Sequence, residues 1–283
     1  MGKTVQVIEN ICNITERLHE YGCSYFDSLG GYAINTESKN HFVIAKKSDE
    51  EAVFVKTKGD AFICSSVKKN VKHANDCAFY DGKFYVALGK QKKASTIIQC
   101  YGADMKYIGQ YSYYARPLPF GKELTNITGI DHVMGKIFIM GSENNYSLCY
   151  LNENDRQFFE VSRVVIDPSS ATNRTERKKY KRQGQGIYTD GEKMFKVYSY
   201  NTEGNHTKRN DIVEFKLPGY SPSYNGNTSV SNYYACDRTE KNTFEIEGIS
   251  SPDKNSSNLY MSANVTESSG KQADAIYHIR LNS

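Results

Sequence analysis

The stretch Gln183-Gly184-Gln185-Gly186-Ile187, followed by the turn pair Asp190-Gly191 and the alternating run Met194-Phe195-Lys196-Val197, is one of five copies of a single design. A polar residue or two precedes a small residue, an apolar residue follows, and a turn leads into an alternating strand. The other copies are Gly30-Gly31-Tyr32-Ala33-Ile34 before Phe42-Val43-Ile44, and His73-Ala74-Asn75-Asp76-Cys77-Ala78-Phe79 with Asp81-Gly82 before Phe84-Tyr85-Val86. Asn126-Ile127-Thr128-Gly129-Ile130 precedes Ile137-Phe138-Ile139, and Glu245-Ile246-Glu247-Gly248-Ile249 precedes Asn258-Leu259-Tyr260-Met261. The small residues Gly31, Asp76, Gly129, Gly186 and Gly248 are spaced by 45, 53, 57 and 62 residues, lengths that suit a four-stranded sheet unit with its loops. Period-two runs between the markers supply the further strands: Thr96–Tyr101, Ser147–Leu151 and Asp211–Phe215. The Asp-Gly pairs are tight-turn chemistry.

This repeat resembles those of β-propeller proteins, in particular the small five-bladed kind. The resemblance spans nearly the whole chain, and it rests on short motifs such as His73–Ala87 and Glu245–Ala263; no WD dipeptide, tryptophan or kelch signature is present. It implies an all-β fold, a five-bladed β-propeller closed by pairing of the N- and C-terminal segments. The expected units lie near 22–66, 67–120, 121–180, 181–240 and 241–283, in one domain, with 1–21 completing the last blade. Closure of the ring removes long exposed sheet edges. Thr4-Val5-Gln6-Val7-Ile8 reads as the closing strand, while Val7, Ile11, Ile14 and Leu18 also fall near helical spacing, so a helix over 3–20 is the alternative.

Composition narrows the class. At 39% hydrophobic and 24% charged, the 283 residues suffice for a substantial core. No run approaches the roughly 20 apolar residues of a membrane span, and Met1–Ile14 lacks a signal-peptide core, so no membrane insertion and a cytoplasmic location are expected. Seven scattered cysteines contain no CxxC pair, which predicts reduced thiols, several of them packed in strands, rather than a disulfide framework or a zinc finger. No cofactor or metal is expected.

The repeat register places a site. If each marker begins the innermost strand of its unit, then Ser28, His73, Asn75, Asp76, Asn126, Thr128, Gln183, Gln185, Glu245 and Glu247 ring the mouth of a central channel. Amides, hydroxyls, carboxylates and an imidazole converging there would each fix one oriented hydrogen bond to a ligand. The connectors into these strands are basic: Lys68, Lys69 and Lys72; Arg116 and Lys122; and Arg174, Arg177, Lys178, Lys179, Lys181 and Arg182. Although the net charge is only +4, this placement predicts a field favouring an anionic ligand. Tyr180 and Tyr111, Tyr113 and Tyr114 interleave with the cations, a pattern also compatible with stacking on a nucleotide or, less strongly supported, nucleic acid.

Three functions compete on these residues. The leading expectation is a noncatalytic protein holding an anionic small molecule or oligomer, a nucleotide-type signal or a phosphorylated glycan, with Arg116, Lys181 and Arg182 among its contacts. The second is a lyase or hydrolase with His73, Asp76 and Glu247 as acid–base candidates; Glu245 and Glu247 are not expected to act as a carboxylate pair. The third is a protein-interaction or phage-tail receptor-binding module. No serine elbow, Walker loop or HExxH motif occurs.

Overall fold

The computed structural model describes residues 3–89, 96–116, 124–141, 145–166, 181–201, 207–217 and 226–282. The chain opens with strand β1 (Thr4–Asn13) and passes directly into the short helix α1 (Ile14–Glu20). Both readings of the N-terminal segment are therefore partly realised. Asn13 decides the boundary, because its side chain accepts the Glu16 amide at 3.0 Å and caps the helix.

Antiparallel meanders follow. The first comprises β2 (Ser28–Ile34), β3 (His41–Lys46), β4 (Glu51–Lys58) and β5 (Ala61–Cys64), with the two-residue β6 (Lys68–Lys69) also paired to β4. Next come β7 (Asp76–Tyr80), β8 (Lys83–Ala87), β9 (Ile97–Gly102) and β10 (Tyr107–Tyr114), then β11 (Ile127–Val133), β12 (Lys136–Gly141), β13 (Asn145–Asn152) and β14 (Gln157–Ile166). A fourth run joins β15 (Lys181–Thr189), β16 (Lys193–Asn201) and β17 (Thr207–Lys216) to β19 (Val230–Asp237), with the short β18 (Gly226–Thr228) laid against β14. The last contains β20 (Thr243–Ser250), β21 (Leu259–Thr266) and β22 (Ala275–Asn282), and its outer strand is β1, which pairs antiparallel with β22 from Thr4↔Asn282 to Asn13↔Ala275.

The turn chemistry explains the hairpins. Asp81 and Gly82 adopt φ of 48° and 72°, the two positive values that a tight turn between right-twisted strands requires. Met134-Gly135 repeats that geometry with φ of 49° and 72°.

The strand faces that alternation leaves apolar pack between successive meanders. Phe42, Ile44 and Phe54 of the first meet Phe79, Phe84 and Val86 of the second. Equivalent clusters join the second to the third, the third to the fourth and the fourth to the last. A further one, with Tyr32, Val43 and Val55, brings the first meander against Ile276 of the last and against Ile14 and Leu18 of α1. The inner strands β2, β7, β11, β15 and β20 each contact the next, and β20 contacts β2. The architecture is thus all-β and of propeller type. All seven cysteines are free, with Cys77, Cys100, Cys149 and Cys236 buried. Among the described residues no helix is long and apolar enough to cross a membrane.

Candidate active site

The marker residues meet at the centre of this ring, where one of them differs from the rest. Asp76 is fully buried, and its Oδ2 accepts the backbone N–H of Ile130 at 2.9 Å and of Ile187 at 3.0 Å. Each donor follows a marker glycine, and the β11–β12 and β15–β16 ladders shift register just before these donors. The glycines also make room. A Cβ on Gly186 would lie 2.6 Å from Asp76 Oδ1, and one on Gly31 would lie 2.6 Å from the Asp76 backbone. Asp76 is therefore a bolt through the axis. Burial pushes its pKa up, and the Ile130 and Ile187 amides oppose that shift. It is not available at the mouth as an acid or base, which corrects its candidacy for catalysis.

By sequence register two sets of positions precede the markers: Gly30, Asn75, Thr128, Gln185 and Glu247 lie one residue before, and Ser28, His73, Asn126, Gln183 and Glu245 three residues before. Several of these groups stitch neighbouring meanders together. The Asn75 Nδ2 donates to the Thr128 carbonyl at 2.5 Å, and the Thr128 hydroxyl donates to the Met140 carbonyl at 3.4 Å. Asn126 is buried, and the Ser28 hydroxyl turns back to the Leu29 carbonyl. Lys181, Arg182 and Gln183 pair with Asn201, Tyr200 and Ser199 on β16, but their side chains lie outside the described part of the chain.

The remaining groups converge. Gln185 Nε2 donates to Glu245 Oε1 at 3.1 Å, and Asn264 Nδ2 donates to Glu247 Oε1 at 2.6 Å. Glu247 is buried, Glu245 is partly exposed, and burial raises the pKa of both. The charge on Glu245 raises Glu247 further, while Lys46 lowers both. The expectation that they would not pair is thus corrected: residues two apart on a strand share a face. Lys46 is buried beside them, opposite Ser28 on β3, and its ammonium donates to the His73 carbonyl at 2.8 Å. His73 is held neutral, its pKa lowered to about 4 by burial and by Lys46. A second buried lysine, Lys196, reaches from β16 toward Gly184 and donates to the Gly141 carbonyl at 3.4 Å.

The opposite end of the axis is bridged. Lys254 Nζ pairs with Asp131 Oδ1 at 2.5 Å, and Asp131 Oδ2 accepts the Thr189 amide at 2.7 Å. His132, next along, packs its ring against Tyr80.

Of the predicted basic connectors, only a few residues have described side chains, Lys68, Lys72 and Arg116. Lys68 and Lys69 form β6, paired with Ala52 and Glu51 on the far side of the first meander from β2. Lys72 is exposed. Arg116 is exposed at the end of β10, and its amide donates to Glu160 Oε2 at 2.9 Å. Lys122, Arg174, Arg177, Lys178, Lys179 and Tyr180 lie outside the described residues. Among the described residues, the buried cations near the inner strands are Lys46 and Lys196, which the sequence reading missed. Their one signal was a charged residue inside an otherwise apolar second strand.

No family model and no curated protein matches the chain. Solved structures do. A glutaminyl cyclase from Myxococcus xanthus aligns over 99% of this chain and 97% of its own at 8% identity and a TM-score of 0.54. The tail fiber of Staphylococcus aureus phage P68 aligns over 98% of this chain at 12% identity and a TM-score of 0.60, but over only 53% of its own length. A bifunctional GH43-CE protein from Bacteroides eggerthii aligns over 91% of this chain and 34% of its own at 6% identity and a TM-score of 0.52. At such identities the likeness shows the fold, which is propeller-type. The expectation of a noncatalytic anion holder is corrected by these neighbours, since propeller-type structures similar to the chain include a glutaminyl cyclase and a GH43-CE protein and favour the hydrolase or lyase alternative.

Proposed function

We propose that the chain is a five-bladed propeller enzyme, a hydrolase or lyase in which Glu245 acts as general base and Glu247 as general acid. The five meanders serve as the blades, with 1–21 completing the last. The observation that carries this reading is the pairing of the two glutamates beside Lys46 in a mouth lined by neutral hydrogen-bonding groups. Two carboxylates in one low-dielectric site do not both ionise readily, so the pair retains a proton toward neutrality. Glu247, the deeper of the two, holds that proton and acts as the acid. Glu245, partly open to solvent and hydrogen-bonded by Gln185, is the base.

In the hydrolytic form Glu245 takes a proton from water as its oxygen attacks, while Glu247 delivers its proton to the leaving group. In the lyase form the proton taken is the substrate's own. Lys46 offsets charge that develops beside the pair, and the neutral imidazole of His73 offers the substrate a hydrogen bond. Turnover of a panel of chromogenic glycosides and an N-terminal glutaminyl peptide tests this. Wild type should turn over at least one substrate, with a drop of about 100-fold or more in Glu247→Gln and Glu245→Gln. Rates unchanged in both variants, or no turnover of any member, would overturn it. A second reading, a receptor-binding module of a phage tail, is favoured by the full-length match to the tail fiber. Adsorption to bacterial cell walls that is unaffected by Glu247→Gln would select it.

A further inference from the structure

A second concave site lies away from the mouth, between the first two meanders. It is a cavity of about 340 Å³ with Asn70, Gln99, Tyr101, Tyr107 and Gln110 among its lining residues, and Lys68 at its border. Gln99 and Gln110 are cross-strand partners on β9 and β10, as are Tyr101 and Tyr107, so two amides and two phenols face the same way. The floor is prebuilt. Gln99, itself buried, accepts from the Tyr101 hydroxyl at 2.8 Å and donates to the Asn70 carbonyl at 3.1 Å. Above it, the Tyr107 hydroxyl and the side-chain amides of Asn70 and Gln110 belong to exposed residues, and the Tyr107 ring is half exposed. Asn70 is held there with φ of 58°, a left-handed conformation asparagine tolerates.

We infer that this groove binds a neutral saccharide. Amide and phenol groups both give and accept hydrogen bonds, as sugar hydroxyls do, and an open tyrosine face suits the apolar side of a pyranose ring. Other ligand classes fit less well. Among the described lining residues no carboxylate is present to hold a cation, and the one charged side chain, Lys68, is directed over the Phe54 ring at 5.9 Å. The inference does not depend on the glutamate pair.

The test uses the labelled full chain on an array of neutral and acidic oligosaccharides, followed by titration of the best-retained one. Neutral oligosaccharides should be retained, the double variant Tyr107→Ala/Gln110→Ala should weaken binding at least tenfold, and Glu245→Gln/Glu247→Gln should leave it unchanged. Both groove residues are exposed, so an unaltered melting temperature confirms that the variant folds. Retention of acidic sugars alone, retention of none, or equal binding by the groove variant would overturn the assignment. Loss of binding only in the glutamate variant would also overturn it, by placing the sugar at the mouth.

Discussion

Replacing Asp76 with alanine should unfold a large part of the stability margin while leaving the mouth's chemistry untouched. The carboxylate satisfies the amides of Ile130 and Ile187, both buried on inner strands. Each buried donor left without an acceptor costs about 1–3 kcal/mol, so the two together cost about 2–6 kcal/mol. A domain of this kind has about 5–15 kcal/mol in total, so the loss is large. Asp76→Asn keeps an acceptor for the two amides but turns an NH₂ toward Gly186, and it should cost less than alanine, about 1–3 kcal/mol. Urea unfolding at pH 7, followed by circular dichroism, reads the difference, with an unchanged m-value confirming that the same surface is exposed. Asp76→Asn should retain whatever turnover the wild type shows. If Asp76→Ala lies within about 0.5 kcal/mol of wild type, the axial bolt is not structural; if Asp76→Asn folds normally but loses all turnover, the residue belongs to the chemistry after all.

Gly186→Ala should cost about 1–3 kcal/mol by overpacking, since its Cβ would meet Asp76 Oδ1 at 2.6 Å. Combined with Asp76→Ala it should cost less than the sum of the two in a double-mutant cycle. Arg163→Met should destabilise by about 3–5 kcal/mol, because Glu160, paired to it at 2.5 Å with both side chains buried, would keep an uncompensated charge. Adding Glu160→Gln should recover part of that loss in the same urea assay. Burial lifts the Asp274 pKa from 3.8 to about 7, so the native carboxyl keeps a proton that the unfolded chain releases. Its contribution to stability therefore falls as pH rises from about 4 to about 7. Three histidines, His41, His73 and His132, have pKa values lowered to about 4 and act in the opposite direction between about 4 and 6.5. The difference in melting temperature between wild type and Asp274→Asn isolates the aspartate, and a difference constant from pH 4 to 7.5 would refute the assignment.

Much of the architecture was legible because strand alternation and turn residues are local. Asp81-Gly82 specifies its hairpin through two backbone angles, and Phe84-Tyr85-Val86 specifies a strand by its own alternation. The marker residues also located the inner strands that contact one another around Asp76. What the glycines accommodate was not legible: nothing in Gln185-Gly186-Ile187 reveals that a side chain 110 residues earlier fills the space, since that contact exists only after the ring closes. The buried lysines were hidden for a related reason. Charge runs record composition, while the buried Lys46 and Lys196 enter the mouth by strand register, one opposite Ser28 and the other opposite Ile187.

The outer-strand pairings carry a dynamic consequence. Parallel contacts between β10 and β14, and between β1 and β19, fuse the meanders two by two into continuous hydrogen-bonded sheets. The β2–β5 meander joins neither sheet among the described residues and is held mainly by side-chain packing. It is the sector that can swing away without breaking a continuous ladder, so its amides should exchange with deuterium first, as one sub-global opening. Lys46 would leave with it, parting from the His73 carbonyl and from its place beside Glu245 and Glu247.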